Sequence, residues 1–280
     1  MLDRITVLNG ELDHPEGVAW SPSGAVYAGG EAGQVYRISL DGEAEVVGST
    51  GGFAYGITLD ARDRVYVCDF ARAEVCRVHA DGDVAVVSRG TPERPIQVPN
   101  FSAFDDAGSL YVTDSGGWGE NAGVVYRIAP GGETEIWAHD VPSFPNGCCL
   151  SPDGSELLVV ESGARRVARV PIRSDGTAGP ATTVVRLEGS QPDGIALADD
   201  GTMVVGCYRP DRIFVVSDGG RADVLVEDVD GVSLNQPTNV AFVGDDLTTL
   251  AISALGGWSI SLLDAGLRGL PLRRPQLDHD

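Results

Sequence analysis

A short pattern that recurs six times constrains this chain more than any other feature of its sequence. Each copy is a polar corner followed by an apolar run, a tight turn and a second apolar run, as in residues 144–160. The copies begin about 39 to 47 residues apart, which is the period of a repeat architecture rather than of a helix or a single hairpin. The six corners are residues 14–17, 53–56, 98–101, 144–147, 191–194 and 236–239.

Each repeat is predicted to form four short strands. In the second repeat the strands are residues 56–59, 64–68, 75–78 and 84–87. These runs are rich in β-branched residues, and no stretch of helical length shows a 3.6-residue apolar period. Six units of four strands predict an all-β fold, a six-bladed β-propeller with four-stranded blades around a central channel. The whole chain, residues 1–280, is expected to form this single domain.

The ends of the chain are predicted to close the ring. A β-branched run at residues 5–8 precedes the first corner, and each later corner also follows such a run. The N-terminal run is therefore expected to be the outer strand of a blade whose other strands come from the end of the chain. The alternative is that residues 270–273 supply this outer strand.

The composition narrows the range of partners and compartments. The formal net charge is −21, and all 20 basic residues are arginine. Nucleic acids and anionic membranes require a basic face, so neither is expected as a partner. The absence of lysine excludes a lysine Schiff base. With five cysteines, no Cys-x-x-Cys spacing and no signal-peptide pattern, we expect a cytoplasmic protein, as a monomer or small homo-oligomer.

The third residue of each corner forms a column that is expected to face the channel axis, because the first strand of each propeller blade lines the channel. The column comprises Glu16, Tyr55, Asn100, Asn146, Asp193 and Thr238. Four of these six side chains carry a carboxylate or amide oxygen. An oxygen-only set favours Ca²⁺, with Mg²⁺ or Mn²⁺ as alternatives. The competing interpretation is that these polar groups only cap their own turns.

The repeated motifs resemble those of the senescence-marker-protein-30/gluconolactonase family of six-bladed propellers, over essentially the whole chain. They are His-Pro-Glu-Gly-Val-Ala-Trp at 14–20, Val-Pro-Asn at 98–100, Phe-Pro-Asn-Gly at 144–147, Ser-Pro-Asp-Gly at 151–154, Gln-Pro-Asp-Gly-Ile-Ala at 191–196 and Thr-Asn-Val-Ala-Phe at 238–242. The resemblance implies one divalent cation, Ca²⁺ or else Mg²⁺, Mn²⁺ or Zn²⁺. Its ligands would be Glu16, Asn100, Asn146 and Asp193. It also implies hydrolysis of lactones, with Asp193 as general base or nucleophile.

The chain departs from the family where sugar lactones are recognised. Members that act on sugar lactones carry an Arg and an Asp around the first metal Asn, and here these positions are Val98 and Phe101. Tyr55 and Trp118 add aromatic surface, the latter from a glycine-rich loop at 115–123. The small-molecule substrate is therefore expected to be a lactone or ester that is less polar than a sugar lactone.

Two further residues, one from the column and one from the first corner, complete the expected substrate site. Two other functions stay open. Thr238 belongs to the column, and His14 is either a proton shuttle or a hydrogen-bonded rim residue. The leading hypothesis is a metal-dependent lactonase or esterase. The alternatives are a cyclase, lyase or isomerase on the same propeller, or a binding propeller with a structural ion.

Overall fold

A computed structural model describes residues 1–277; residues 278–280, the end of the acidic tail, lie outside the described part. Within it the chain forms 24 β-strands and one short 3-10 helix, Leu2–Arg4, arranged as six four-stranded antiparallel sheets. The predicted all-β, six-bladed propeller is confirmed. No helix in the described part is long and apolar enough to cross a membrane.

The strands follow one another from the channel outward in each of the first five blades. Blades 1 to 3 comprise β2 (Val18–Ser21), β3 (Ala25–Gly29), β4 (Gln34–Ser39), β5 (Ala44–Ser49); β6 (Ala54–Leu59), β7 (Val65–Asp69), β8 (Glu74–Val78), β9 (Val84–Ser88); and β10 (Pro99–Phe104), β11 (Leu110–Asp114), β12 (Val124–Ile128), β13 (Thr134–Ala138). Blades 4 and 5 comprise β14 (Pro145–Leu150), β15 (Glu156–Glu161), β16 (Arg166–Pro171), β17 (Thr182–Arg186); and β18 (Gln191–Leu197), β19 (Met203–Arg209), β20 (Asp211–Val216), β21 (Ala222–Glu227).

Blade 6 closes the ring with strands from both ends of the chain. It comprises β22 (Pro237–Val243), β23 (Thr249–Ala254), β24 (Ser259–Asp264) and, on the outside, β1 (Thr6–Asn9). β1 pairs antiparallel with β24, with Thr6 opposite Leu262. The N-terminal run is thus the outer strand, as predicted. The alternative, residues 270–273, is wrong, because that segment crosses the far end of the channel instead.

The hydrophobic core is divided among the six interfaces between neighbouring blades. Each of six buried clusters joins strands of two adjacent blades, for example Tyr66 of blade 2 against Phe104 of blade 3, with ring centroids 4.9 Å apart. The second strands β3, β7 and β11 are buried along their whole length, because a blade packs on each of their faces. The outer strand β5 is mostly exposed. Each large side chain fully buried in this way contributes about 1.5–3 kcal/mol.

The inner strands are irregular next to the residues of the column. The pairing shifts register beside the column residue in blades 2 to 6, as between Pro145 and Cys148 on β14. Such a bulge breaks the strict alternation of side chains and redirects one of them. The glycine that follows the column residue lets neighbouring inner strands approach: a Cβ on Gly17 would lie 2.2 Å from the Tyr55 carbonyl oxygen. Together these features turn the column toward the channel.

The end of the chain crosses the far opening of the channel as a strap, residues 268–277. It leaves blade 6 and pairs with blade 5, where the Leu270 amide donates to the Leu197 carbonyl at 2.8 Å. Arg273 then donates to the carbonyl of Pro152 in blade 4 at 2.9 Å. Arg274 donates to the carbonyl of Asp60 in blade 2 at 2.8 Å. The strap therefore bridges blades on opposite sides of the ring.

Candidate metal centre

The four predicted ligands share one position, at or just before the start of the inner strand of their blades. Glu16 lies just before β2, and the other three lie in the first residues of β10, β14 and β18. The four residues are 3–6% exposed, although each carries a charged or amide group: Glu16, Asn100, Asn146 and Asp193. Buried polar groups of this kind require compensating partners.

Within residues 1–277, three of the four side chains hold an oxygen with no protein partner. These atoms are Glu16 Oε2, Asn146 Oδ1 and Asp193 Oδ1. The Asn146 amide is oriented by its nitrogen, which donates to Ser162 Oγ at 3.1 Å and leaves the oxygen free. A buried acceptor without a partner costs about 1–3 kcal/mol. Converging orphan oxygens that include two carboxylates are the donor set of a hard divalent cation, so the residues fit such an ion.

Without a bound cation, the folded protein disfavours the charged forms of the Glu16 and Asp193 carboxylates. Burial raises the pKa of Glu16, against a smaller opposing effect from the Thr238 hydroxyl. Burial also raises the pKa of Asp193, and the negative charge of Glu16 raises it further. The same two carboxylates add to the effect of burial in raising the pKa of Tyr55. A positive charge between the carboxylates would reverse these shifts.

A second layer of hydroxyl groups fixes the backbone behind the ligands. In three cases a hydroxyl residue in or just after the second strand of one blade bonds the backbone at the start of the next blade. Thr113 Oγ1 donates to the Asn146 carbonyl at 2.7 Å, Ser162 Oγ to the Pro192 carbonyl at 2.6 Å and Ser253 Oγ to the Glu16 carbonyl at 2.6 Å. Sequence reasoning missed these residues. The available signal was a small hydroxyl residue recurring at the end of the second strand of a repeat.

Replacing Ser162 by alanine is expected to weaken divalent-cation binding about 10- to 100-fold, the usual cost of losing a group that orients a ligand. The substitution leaves the Pro192 carbonyl and the Asn146 amide without their shared partner. Calorimetric titration with Ca²⁺ measures the change. Ser155→Ala, at an exposed turn of the same blade, is the control. Equal affinities in the two variants would contradict the supporting role.

Thr238 lies in this supporting layer rather than on an open surface. Its Oγ1 donates to the Glu16 carbonyl at 3.0 Å and lies 3.1 Å from Ser253 Oγ. The residue is 2% exposed. Its contacts therefore connect blade 6 to the Glu16 backbone.

Aromatic side chains cluster at two of the corners, residues 53–56 and 144–147. Tyr55 stacks on Phe70 with centroids 4.8 Å apart and an interplanar angle of 4°, and Phe53 meets Tyr55 edge-on at 4.7 Å. On another side Trp118 packs against Phe144 at 4.8 Å. Trp118 is 56% exposed, so its indole is available to a ligand. The predicted position of the 115–123 loop within blade 3 is confirmed, since it joins β11 to β12.

His14 is held at the rim by two carboxylates. Its Nδ1 lies 2.9 Å from Asp13 Oδ1 and 2.8 Å from Glu31 Oε2, so this nitrogen carries the proton. The ring packs on Trp258 with centroids 4.6 Å apart. Within residues 1–277, Asp13, His14 and Glu31 form the one group of three His, Cys, Asp or Glu side chains whose ligand atoms all lie within 4.8 Å of one another.

Val98 and Phe101, expected together at the channel mouth, lie at different depths. Val98 precedes β10, and its amide donates to Asp114 Oδ1 at 2.7 Å. Phe101 follows Asn100 directly and lines a cavity in the other half of the channel. The two residues therefore border different spaces.

Several residues around the mouth had not been predicted. Phe53, Phe70, Phe144 and Trp258 are the aromatic partners described above, and Tyr208 lies near Asp193, whose charge, together with burial, raises the pKa of Tyr208 to about 12. Phe53 and Phe144 open corners of the repeat, and this shared position was the one signal in the sequence. Phe70 and Trp258 come from turns without a repeated pattern, and Tyr208 lies in β19.

Comparison with known proteins gives the class of this propeller. Residues 14–256 match the sequence profile of the family described as "SMP-30/Gluconolactonase/LRE-like region". The chain therefore belongs to the SMP-30/gluconolactonase/LRE-like family, in agreement with the resemblance noted from its motifs.

One curated relative and two solved structures illustrate the similarity. The chain is 29% identical over 193 residues to the lactonase drp35 of Staphylococcus saprophyticus, a match covering 64% of this chain and 59% of the relative. Less than two thirds of that relative is thus spanned. A gluconolactonase of Xanthomonas campestris has a TM-score of 0.80 at 21% identity, covering 94% of this chain and 89% of the other. The calcium-binding protein regucalcin of Agrobacterium tumefaciens has a TM-score of 0.78 at 18% identity, covering 98% and 97%.

Proposed function

We propose that this chain is a divalent-metal-dependent hydrolase that cleaves an apolar lactone or ester at the mouth of the channel, with Ca²⁺ as the preferred ion. The observation that carries the proposal is the set of three buried oxygens without partners, on Glu16, Asn146 and Asp193. Family membership and the similarity to a lactonase support lactones as the substrate class. The similarity to a protein described as calcium-binding supports the ion.

The ligand set would hold the ion through Glu16, Asn100, Asn146 and Asp193. A divalent cation bound there would polarise the substrate carbonyl oxygen and help to acidify a water molecule. Any additional ligands would come from water or substrate, because Ca²⁺ commonly takes about 6–8 oxygens.

We assign to Asp193 either the removal of a proton from water or the attack on the substrate's carbonyl carbon. Within residues 1–277 its Oδ1 has no protein partner, and a cation bound beside it would keep the carboxylate ionised, as a base or a nucleophile requires. It acts either as the base toward water or as the nucleophile toward the carbonyl carbon. His14 has its Nδ1 committed to Asp13 and Glu31, so Nε2 is the nitrogen left to relay a proton at the rim.

The mouth favours a neutral, apolar ring. Tyr55, Phe70 and Trp118 offer aromatic faces, whereas the charged groups at the rim include the acidic Asp13 and Glu31. An anionic substrate would be repelled by these carboxylates and by the net charge of −21. We therefore expect aryl or alkyl lactones to be better substrates than sugar lactones.

A panel of aliphatic, aromatic and sugar lactones with aryl esters tests this proposal. Protein stripped with EDTA should be inactive, and addition of Ca²⁺, Mg²⁺ or Mn²⁺ should restore hydrolysis, fastest for the aromatic and alkyl lactones. Turnover that is unaffected by EDTA would contradict the metal dependence. A metal-loaded protein that converts a lactone without adding water would favour a lyase or isomerase instead.

Trp118 provides a test of the substrate class within the same panel. Trp118→Ala should lower kcat/KM for an aryl lactone about 2- to 10-fold, because an aromatic pair contributes about 0.5–1.5 kcal/mol. Trp118→Phe keeps an aromatic face and should retain most of the activity. A small aliphatic lactone should be converted equally by all three proteins, and an equal loss for every substrate would point to a disturbed loop.

A further inference from the structure

The half of the channel beyond the candidate ligands contains a cavity of about 310 Å³. None of the four candidate ligands borders it. All six inner strands contribute to its wall, and the strap closes its far side. Representative lining residues are Ile57, Phe101, Ala196, Val240, Leu270 and Leu272.

Phe101, which directly follows the candidate ligand Asn100, borders this cavity. The positions equivalent to Phe101 are glycine in blades 1, 2, 4 and 5, so only blade 3 places a large apolar side chain at this level. Its ring lies against Gly56, where an added Cβ would come within 2.9 Å of Phe101 Cδ2.

The wall of the cavity is mostly apolar, and the charged residues that line it in the described part of the chain are Asp245, Arg273 and Arg274. No buried side-chain nitrogen or oxygen without a hydrogen bond belongs to its lining, as far as the chain is described. The two hydroxyl groups satisfy each other and the backbone: Thr58 Oγ1 donates to the Ser102 carbonyl at 2.6 Å, and Ser102 Oγ donates to Thr58 Oγ1 at 3.0 Å. Water in such a space would find few partners. An apolar cavity of about 150 Å³ already binds benzene, and this one is about twice as large.

The strap closes the cavity mainly by polar contacts at its arginines. Arg273 bonds the carbonyls of Ser151 and Pro152 and pairs with Asp106 at 3.2 Å. Arg274 bonds the Asp60 carbonyl and pairs with Asp63. Between the Leu270 amide and Arg273 lie Pro271 and the 51% exposed Leu272. The distal end of the strap is held as well, because the Ala61 amide donates to the Pro275 carbonyl at 3.1 Å and Arg64 donates to the Leu277 carbonyl at 2.9 Å. Release of the two arginines would therefore free the segment between these anchors and Leu270 without disturbing a blade core.

We propose that this cavity is a binding site for one small uncharged apolar molecule, such as an aromatic hydrocarbon or a short alkyl chain, and that the C-terminal strap is its lid. The site is separate from the candidate metal centre, and the inference does not depend on the proposed hydrolase activity.

Titration with the neutral fluorescent probe N-phenyl-1-naphthylamine tests the site on the full chain. We expect one probe per chain, and at least 10-fold weaker binding in Ala196→Leu, which fills the cavity from blade 5. Ala103→Leu fills it from blade 3 and serves if the first variant does not fold. The exposed strand variant Ala44→Leu is the matched control and should bind as the unmodified chain does.

A variant at the mouth of the channel tests whether the probe binds in the cavity or at the mouth. Trp118→Ala should not change probe affinity, since Trp118 does not line the cavity. Absence of binding by the unmodified chain would overturn the proposal. Unchanged affinity in a folded cavity-filling variant, or lost affinity in Trp118→Ala, would overturn it as well, because either result would place the probe elsewhere.

The lid is tested by the rate of probe entry in stopped-flow fluorescence. The double variant Arg273→Ala, Arg274→Ala should take up the probe at least 10-fold faster than the unmodified chain. Arg221→Ala, a surface arginine that is paired with Asp223 on blade 5, is the control. An unchanged rate in the double variant would overturn the role of the strap as a lid.

Discussion

Asp193→Asn is expected to lower kcat for the best lactone substrate by about 10²–10⁴-fold, the range for loss of a positioned acid–base group. Asparagine preserves the shape of the side chain and one ligand oxygen, but it removes the charge and the proton-accepting oxygen. The reaction therefore loses the carboxylate that accepts the proton or attacks the carbonyl carbon, whereas the blade should retain its packing. Steady-state kinetics on the metal-loaded protein measure the effect.

The exposed loop variant Asp230→Asn makes the same chemical change outside the channel and should keep full activity. Calorimetric melting of both variants shows whether the fold is intact. An Asp193→Asn protein that binds the cation and retains activity within a factor of ten would remove Asp193 from the reaction.

The stability of the metal-stripped protein is expected to fall as the pH rises above 4.5, the ordinary pKa of a glutamic acid. Burial raises the pKa of Glu16 and Asp193 in the folded state, so folding favours their protonated forms. A raised carboxyl pKa gives stability that is present at low pH and is lost as the pH rises toward the folded-state value. Denaturant unfolding between pH 4.5 and 8 measures this loss.

A divalent cation should offset the loss, with an effect that grows with pH. At a cation concentration of 100 times Kd, binding stabilises the folded state by about 2.7 kcal/mol. For a chain of this size we expect an increase in Tm of about 5–10 °C near neutral pH. At pH 4.5, where protons compete for the carboxylates, the increase should be much smaller.

Glu16→Gln is the control for both effects. It removes one buried charge while keeping the side chain's size, so the pH dependence of the stripped protein should weaken and the cation should stabilise it less. The account of the site would be contradicted by a stripped protein whose stability does not change with pH, or by an equal cation effect in Glu16→Gln.

The fold could be predicted from the sequence because the same pattern of strands and turns occurs six times. Six copies of one pattern fix the number of blades, and a β-branched run before the first corner identifies the closing strand. The strap was not predictable in the same way. Residues 270–273 carry an apolar–Pro–apolar–Arg pattern that reads as a short strand, and only the tertiary positions of Ser151 and Asp60 explain its actual path.

The candidate site likewise has a part that the sequence predicts and a part that only the structure shows. Glu16, Asn100, Asn146 and Asp193 occupy one position of the repeat, so the sequence alone aligns them. The bulges that turn them toward the channel, and the hydroxyl of Ser162 behind Asn146, depend on backbone geometry between blades. The depth of Phe101 depends on the glycine that it packs against. Non-repeated loops supply Phe70 and Trp258, which no sequence pattern could place.

The most direct measurement of the central claim is a calorimetric titration of the EDTA-stripped protein with CaCl₂ at neutral pH, beside Glu16→Gln and Asp193→Asn. The account predicts one Ca²⁺ per chain for the unmodified protein and at least 10-fold weaker binding in both variants. Absence of Ca²⁺, Mg²⁺ and Mn²⁺ binding by the unmodified chain, or equal binding by all three proteins, would contradict a metal centre at these residues.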